Sequence, residues 1–389
     1  MTLSAFSIDD AHYMAEALRL ANKGVYTTQP NPRVGCVLVR GGQIVGRGWH
    51  KKAGTGHAEV NALAEAGGLA QGSTAYVTLE PCSHFGRTPP CAKALIDAQV
   101  SEVVAAMLDP NPEVSGRGFK LLEDAGIKVR YGLMEAEARA LNQGFIKRME
   151  TGLPYLRIKM ATSVDGRTAM ESGESQWITG PAARSDVQRL RARSSAIISG
   201  IGTILHDDAA LTVRASELGL DPEWSREIEK IQPLRVILDR QARLPKTARL
   251  LEQETPILWC VSEASELSQE AQEVSQLGFV DVLRLSSASS SNDAHSELQE
   301  VMSKLAELQC NEVLLEAGAL LAGSIIEQGL WDELLVYMAP KLLGSKARPL
   351  AELGLDKMSE SIDLDLKDLR LVGQDIRMIY MPAEVSGSR

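Results

Sequence analysis

His57-Ala58-Glu59, followed by Pro81-Cys82-Ser83-His84-Phe85-Gly86-Arg87-Thr88-Pro89-Pro90-Cys91, decides how this chain is read. It supplies one imidazole, a carboxylate two residues later, and two thiols on a later loop. Three protein ligands and an open fourth position are what a catalytic zinc site requires. The ion lowers the pKa of its water, so hydroxide is available near neutral pH. A carboxylate that shuttles protons has to sit beside the metal without binding it. His57, Cys82 and Cys91 are therefore the expected ligands, and Glu59 the expected general acid/base.

The order His-x-Glu, then Pro-Cys, matches the signature of zinc deaminases. Those enzymes usually place their cysteines as Cys-x-x-Cys, whereas residues 83–90 separate Cys82 from Cys91 here. Two cysteines taken alone more often belong to an apolar core. The order of the motifs, with the second cysteine heading a helical run, favours the metal. His84 is a rival ligand, ranked behind Cys91 because it lacks that helix-start position. The nitrogen and sulfur donor set favours zinc.

Local patterns place these residues. Residues 74–79 read as a buried strand running into Glu80-Pro81-Cys82, and 91–98 as a helix preceded by Pro89-Pro90. A thiolate at a helix N-terminus is favoured by the free N–H groups and the helix dipole. His57 likewise opens a helical run, 57–66, closed by Gly67-Gly68. Around this core, 10–22 reads as a helix with its start at Ser7-Ile-Asp-Asp10. Residues 34–40 and 44–49, joined by Gly41-Gly42, read as a hairpin. Strands at 101–108 and 127–132 and helices at 117–125 and 134–149 complete the first series.

At 389 residues the chain has room for two domains. A short stretch at 150–154 reads as the linker, giving domains 1–150 and 151–389. The second series predicts strands at 155–161, 196–199, 235–239, 257–261, 280–284, 312–316, 333–338 and 376–381. Helices lie between them, for example 182–192 and 296–307. Serine-rich 286–293 reads as a solvated loop. Alternating strands and helices imply α/β architecture in both halves. No G-x-G-x-x-G follows the first strand of the second half, so it is not a standard dinucleotide-binding unit.

Net charge is −10. Residues 1–150 carry 16 Lys and Arg against 15 Asp and Glu, and the rest carries 25 against 36. Neither half has the basic surplus that nucleic-acid binding needs, so a free small molecule is the expected substrate. Cys36, Cys260 and Cys310 lie in apolar contexts and are expected in the core, a reduced, intracellular usage of cysteine. No secretory leader and no membrane span is expected. A cytoplasmic homo-oligomer is the expected form.

Gln29-Pro30-Asn31-Pro32-Arg33-Val34-Gly35 and the loop from Pro81 to Cys91 together resemble the deaminase half of the bifunctional riboflavin-biosynthesis deaminase/reductase family. Lys159-Met-Ala-Thr-Ser-Val-Asp-Gly-Arg-Thr168, Ser175-Gln-Trp-Ile-Thr179, Gly202-Thr-Ile-Leu-His-Asp-Asp208, Leu211-Thr-Val-Arg214 and Leu315-Glu-Ala-Gly318 resemble its reductase motifs, in the family's order. The resemblance implies a cytidine-deaminase-like three-layer domain followed by a dihydrofolate-reductase-like α/β domain. It implies zinc and NADPH as cofactors and a phosphoribosylaminopyrimidine as substrate. Ammonia leaves in the first step, and the ribosyl group is reduced to a ribityl group in the second.

Residue by residue, the resemblance places Ala161, Trp177, Thr203, Asp207 and the turn Gly318-Ala319-Leu320-Leu321-Ala322-Gly323-Ser324 at the cofactor. It places Ser175, Arg191, Leu211, Arg214 and Glu316 at the substrate of the reductase, and Asn31 at the pyrimidine edge in the deaminase. Arginine forks match phosphate oxygens bidentately, which suits Arg191 and Arg214. His50 and Asp109-Pro-Asn-Pro112 are weaker candidates for the pocket mouth. Lys159, Asp207 and Glu316 are the alternatives for the proton donor in reduction. Ala209 stands where the family has proline, which predicts a looser loop there.

Overall fold

The computed structural model describes residues 6–83, 90–112, 114–286 and 291–383. It divides into two compact units, Met1–Leu153 and Pro154–Arg389. Among the described residues no helix is long and apolar enough to cross a membrane.

The first unit runs α1 (Ile8–Asn22), β1 (Gly35–Arg40), β2 (Gln43–Trp49), α2 (Ala58–Ala66), β3 (Thr74–Val77), α3 (Cys91–Asp97), β4 (Glu102–Ala105), α4 (Arg117–Asp124), β5 (Lys128–Tyr131), α5 (Glu135–Leu141) and α6 (Gln143–Thr151). The strand order is β2-β1-β3-β4-β5. The hairpin β1–β2 closes on Gly41 and Gly42, both at positive φ, as a two-residue turn matched to strand twist requires. Beyond β1 the chain crosses over to the parallel strands β3, β4 and β5.

Strand alternation sorts the apolar side chains onto two faces. Cys36, Leu38, Ala75, Val77, Val103 and Ala105 pack on α2, α3 and α4 through residues such as Ala62, Leu95 and Leu122. Val37, Val39, Tyr76, Val104 and Ala106 pack on α1 and α6 through Met14, Ala17, Leu20 and Ile146. A sheet buried on both faces is a three-layer sandwich, and it explains why these strands read as continuous apolar runs. Gly48 seats the start of α2 on β2: a Cβ there would lie 2.0 Å from the Ala58 carbonyl oxygen.

The single helix expected over 134–149 is two helices, broken at Asn142 (φ −119°, ψ 26°). Asn142 Oδ1 accepts the Arg33 N–H at 2.8 Å, and its Nδ2 donates to the Arg33 carbonyl at 2.9 Å. This buried side-chain pairing replaces the helical backbone pattern, a tertiary contact that helical periodicity does not register.

The second unit runs β6 (Tyr155–Ser163), β7 (Arg167–Ala169), α7 (Pro181–Arg193), β8 (Ala196–Gly200), α8 (Ile201–Asp207), α9 (Pro222–Glu229), β9 (Leu234–Leu238), β10 (Ile257–Ser262), α10 (Gln269–Ser275), β11 (Val280–Leu285), α11 (Ser291–Glu307), β12 (Glu312–Leu315), α12 (Ala319–Glu327), β13 (Glu333–Ala339), β14 (Arg348–Pro349), β15 (Leu364–Val372) and β16 (Asp375–Pro382). Nine strands form one sheet in the order β11-β10-β9-β8-β12-β6-β13-β16-β15. The seven from β11 to β13 are parallel, and β16 and β15 add antiparallel. The chain leaves β8 toward β9, and leaves β12 the other way, past β6, toward β13. Ligands of open α/β sheets bind in the crevice that such a reversal opens at the carboxyl ends of the strands.

Two expectations are corrected. Helix α11 begins at Ser291, inside the stretch expected as a solvated loop. Strand β15 had no counterpart in the expected series, although its leucines alternate with charged residues. Ala209, in the loop expected to be looser, packs against the apolar cluster that includes Leu211 and Ile237.

At the opposite, amino ends of the central strands lies a buried ion network. Arg157 pairs with Glu312 at 2.5 Å and Glu333 at 2.9 Å, and Arg193 also reaches Glu312. Burial works against the Arg157 charge, but the two carboxylates outweigh it and raise its pKa.

Candidate active site

The two helix starts of the first unit meet as their sequence suggests. His57 is the N-cap of α2, with extended backbone, and Cys91 is the first residue of α3 after Pro90. His57 Nδ1 lies 3.7 Å from Cys82 Sγ and 3.3 Å from Cys91 Sγ, and the three ligand atoms lie within 4.8 Å of one another. Atoms ~2.0–2.3 Å from a tetrahedral zinc stand roughly 3.5–3.8 Å apart, so the donor set and its spacing fit that ion. Cys82 Sγ also accepts the Cys91 backbone N–H at 3.3 Å. Of the two thiols Cys82 ionises first: a hydrogen bond from the Cys91 thiol outweighs burial and holds it well below the usual thiol range, and His57 assists. His84 lies outside the described residues.

Glu59 is the second residue of α2, in its first turn, and is 3% exposed. Burial, with the nearby Cys82 charge, pushes its carboxyl up to about 7. A carboxyl with that pKa can both take and return a proton near neutrality. Asn31 is half-buried and reaches this cluster through His50, whose ring lies edge-on to His57 at 5.2 Å between centroids.

One supporting residue had gone unremarked. Glu80, directly before Pro81-Cys82, is buried, and its carboxylate accepts the backbone N–H groups of Asp109, Gly116, Gly118 and Phe119. It fastens the Asp109–Gly116 loop and the start of α4 to the strand end that carries Cys82. Its position against the Pro-Cys pair was the available signal.

In the second unit Lys159 of β6 and Arg191 gather on Glu316, beyond the carboxyl ends of β8 and β12. Ser199 Oγ donates to the Glu316 carbonyl at 2.6 Å, joining the last two strand ends. Glu316 and Arg191 form a two-point ion pair, at 2.6 and 2.9 Å. Arg191 therefore stands in the site as half of a pair rather than as a free cation. Burial pushes Glu316 up, but Arg191 and Lys159 outweigh it and hold it below the usual carboxylate range. Burial depresses the Lys159 ammonium, with Glu316 opposing and Arg191 adding to the shift. Arg214 is paired with Glu217 at 2.6 Å and keeps 36% of its side chain exposed.

Ser175 and Asp207 approach to 3.4 Å on the wall of a cavity of ≈ 600 Å³ that also includes Gln176 and His206. Leu211, nearly fully buried, is held at φ 53°, a backbone region that β-carbon-bearing residues rarely occupy and that clusters at functional sites. Thr203 lies in α8, and Ala161 near the end of β6.

The Gly318–Ser324 turn divides by burial. Gly318 and Leu320 are exposed at the start of α12, whereas Ala319, Ala322 and Gly323 are buried. Gly323 packs on backbone: a Cβ there would lie 1.9 Å from the Glu352 carbonyl oxygen. Trp177 is 62% exposed and, among the described residues, makes no side-chain contact with another predicted site residue; the Arg184 guanidinium lies 4.5 Å over its ring.

Comparison with known proteins finds relatives for both halves of the chain. Residues 7–107 match the family model described as the cytidine and deoxycytidylate deaminase zinc-binding region, and residues 154–378 match the RibD C-terminal domain. The chain is 49% identical to the riboflavin biosynthesis protein RibD of Escherichia coli K12, over 95% of this chain and 98% of that protein. It is 49% identical to the RibD of Haemophilus influenzae, over 98% of this chain and 99% of that one. Among solved structures, Acinetobacter baumannii RibD superposes with a TM-score of 0.87 at 46% identity, covering 97% of this chain and 99% of its own. A deaminase/reductase from Thermotoga maritima superposes with a TM-score of 0.81 at 29% identity, covering 96% and 99%. The chain belongs to the RibD family, the bifunctional enzymes of riboflavin biosynthesis that join a zinc-dependent deaminase of cytidine-deaminase-like fold to an NADPH-dependent reductase of dihydrofolate-reductase-like fold.

Proposed function

We propose that His57, Cys82 and Cys91 hold the zinc ion and that Glu59 is the catalytic acid/base for deamination of 2,5-diamino-6-(5-phosphoribosylamino)pyrimidin-4(3H)-one. The convergence of the three ligand atoms beside a buried carboxyl carries this reading. Bound zinc supplies the Lewis acidity that lets water attack near neutral pH. Glu59 takes a proton from the attacking water and passes it to the amine, which departs as ammonia. Asn31 reads the ring edge.

In the second unit Arg214 holds the substrate phosphate, and the Arg191–Glu316 pair shapes the sugar end beside Ser175 and Leu211. NADPH supplies the hydride, in a site bordered by Ala161, Trp177, Thr203, Asp207 and the Gly318–Ser324 turn. Lys159 is the proton donor. Its depressed pKa suits proton release, whereas Glu316 is held ionised by two cations.

The substrate is a free nucleotide, not nucleic acid, and the protein works in the cytoplasm as a homo-oligomer. An irregularity in pairing between Leu366 and Asp368 brings Leu364, Leu366, Leu369 and Leu371 onto one face of the edge strand β15. All four are exposed, at 40 to 73%, and such a face suits a second copy of the chain. The test of the activity is an assay of purified protein with and without NADPH. Ammonia release is expected in both, and NADPH oxidation only after deamination; oxidation without prior deamination, or no ammonia, overturns the reading.

A further inference from the structure

Residues 208–214 form neither helix nor strand, yet the backbone leading to Arg214 is held group by group. The Thr212 carbonyl accepts from Arg191 Nη1 at 3.0 Å. Gln232 takes both polar groups of Val213, accepting its N–H at 2.9 Å and donating to its carbonyl at 3.0 Å. The Arg214 carbonyl accepts the Glu217 N–H at 3.0 Å. Buried backbone that cannot pair within a regular element is paired here largely by side chains.

The Arg214 N–H goes to Gln188. This glutamine of α7 is 2% exposed, and its Oε1 accepts that N–H at 3.0 Å. Its Nε2 donates to Glu217 Oε2 at 3.3 Å. The same carboxylate oxygen accepts from Arg214 Nη2 at 2.8 Å, and Arg214 Nε stands 2.6 Å from Oε1. The contacts thus run from the Arg214 backbone through Gln188 and Glu217 and return to the Arg214 guanidinium. An amide carries an acceptor and a donor in one rigid plane. Between a backbone N–H and a carboxylate it has a single orientation that satisfies both. Glu217 engages the guanidinium through Nε and Nη2, and Nη1 makes no hydrogen bond among the described residues.

We propose that Gln188 is a positioning residue for the phosphate of the reductase's substrate: it fixes Glu217, and Glu217 holds the Arg214 guanidinium with Nη1 left for the phosphate. This rests on the reading of Arg214 as the phosphate ligand. A guanidinium already held loses less freedom when the phosphate arrives. The Glu217 charge opposes that of the phosphate, but its side chain is 39% exposed, so solvent weakens the repulsion. The gain is in binding and not in the chemistry at the sugar carbon, so it falls on KM.

The test compares reduction of the deaminated substrate with reduction of its dephosphorylated form. Gln188→Met keeps the length of the side chain but cannot donate and is at most a weak acceptor. KM for the phosphorylated substrate should rise about tenfold, the scale of one well-made hydrogen bond, with kcat within roughly threefold of wild type. Kinetics on the dephosphorylated form should be those of wild type. Gln188→Glu keeps the acceptor but sets carboxylate against carboxylate, and should be impaired at least as much. Gln188→Glu combined with Glu217→Gln restores the total charge and exchanges donor for acceptor between the two positions. Its KM should return to within about threefold of wild type. Should Gln188→Met fail to fold, Gln188→Glu alone and in that combination carries the test. A Gln188→Met protein that binds the phosphorylated substrate as wild type does overturns the proposal, as does equal impairment on both substrates. A combined variant no better than Gln188→Glu alone overturns it too. Arg214→Ala separates the proposal from the reading beneath it. If Arg214→Ala weakens the phosphorylated substrate and Gln188→Met does not, the proposal alone falls. If Arg214→Ala leaves that substrate unaffected, the phosphate reading falls and the proposal with it.

Discussion

The two units assemble their sites in opposite ways. In the first, His57, Glu59, Cys82 and Cys91 come from 35 consecutive positions, placed by two helix starts and one strand end. In the second, Lys159 and Glu316 are 157 positions apart and meet only because β6 and β12 are parallel neighbours. A metal site needs a few donors at fixed short distances, which local turns can supply. A site for an extended cofactor and a phosphorylated sugar needs surface, and the carboxyl ends of several parallel strands provide it.

The sharpest way to separate the units is Glu59→Gln. Ammonia release should fall about 10²–10⁴-fold, while zinc content and reduction of the deaminated substrate stay near wild type. Deamination within a few-fold of wild type would sink the role given to Glu59. Cys91→Ser serves as its companion: zinc and ammonia release should be lost together while reduction persists, and unchanged metal content would exclude Cys91 as a ligand.

The next effect bears on stability of the second unit alone. Arg157→Met leaves Glu312 and Glu333 buried without their shared cation, a loss of about 3–5 kcal/mol. Calorimetry should show the transition of the second unit lowered by roughly 10 °C, with zinc retained by the first at moderate temperature. An unmoved transition would mean that the network adds nothing to stability.

Arg214→Ala is expected to weaken the phosphorylated substrate in reduction by roughly 10- to 150-fold, the worth of a charge-assisted contact of ~1.5–3 kcal/mol. Deamination should be unchanged. With dephosphorylated substrate, wild type and variant should react alike. A variant still impaired there would show Arg214 acting on something other than the phosphate.

The smallest effect is in the first unit. Burial pushes the Asp10 carboxyl up, but Arg130, Tyr76 and Ser7 outweigh it and hold it below the usual carboxylate range. Its folded pKa is thus below the unfolded value of ~3.9. The stability it adds is present above about pH 4 and is lost as pH falls through the folded pKa. Asp10→Asn should cost about 1–2 kcal/mol at pH 7, and the gap to wild type should narrow progressively as pH falls from about 4 toward the folded pKa. A gap independent of pH would assign the cost to helix capping alone.

Much of this was legible beforehand, for reasons that differ by residue. The cluster of His57, Cys82 and Cys91 was readable because His57 and Cys91 sit at helix starts, where proline, glycine and periodicity mark the chain. The central strands of both sheets were readable because burial on two faces makes them continuous apolar runs. In the second unit Arg191, Arg214 and Trp177 stood out only through resemblance, since a lone arginine or tryptophan carries no local mark of its partner. Strand β15 went unrecognised although its alternation was present.

By itself the sequence determined the two-part α/β organisation and the cluster of His57, Glu59, Cys82 and Cys91, because those depend on periodicity and short spacing. Only the tertiary structure decided that Arg191 is tied to Glu316, that Asn142 breaks a helix to hold Arg33, and that the His50 ring meets the Asn31 amide. Each of these joins groups distant in the chain, or sets a hydrogen-bond direction. Neither leaves a trace in local pattern, because both follow from which surfaces meet when the layers close.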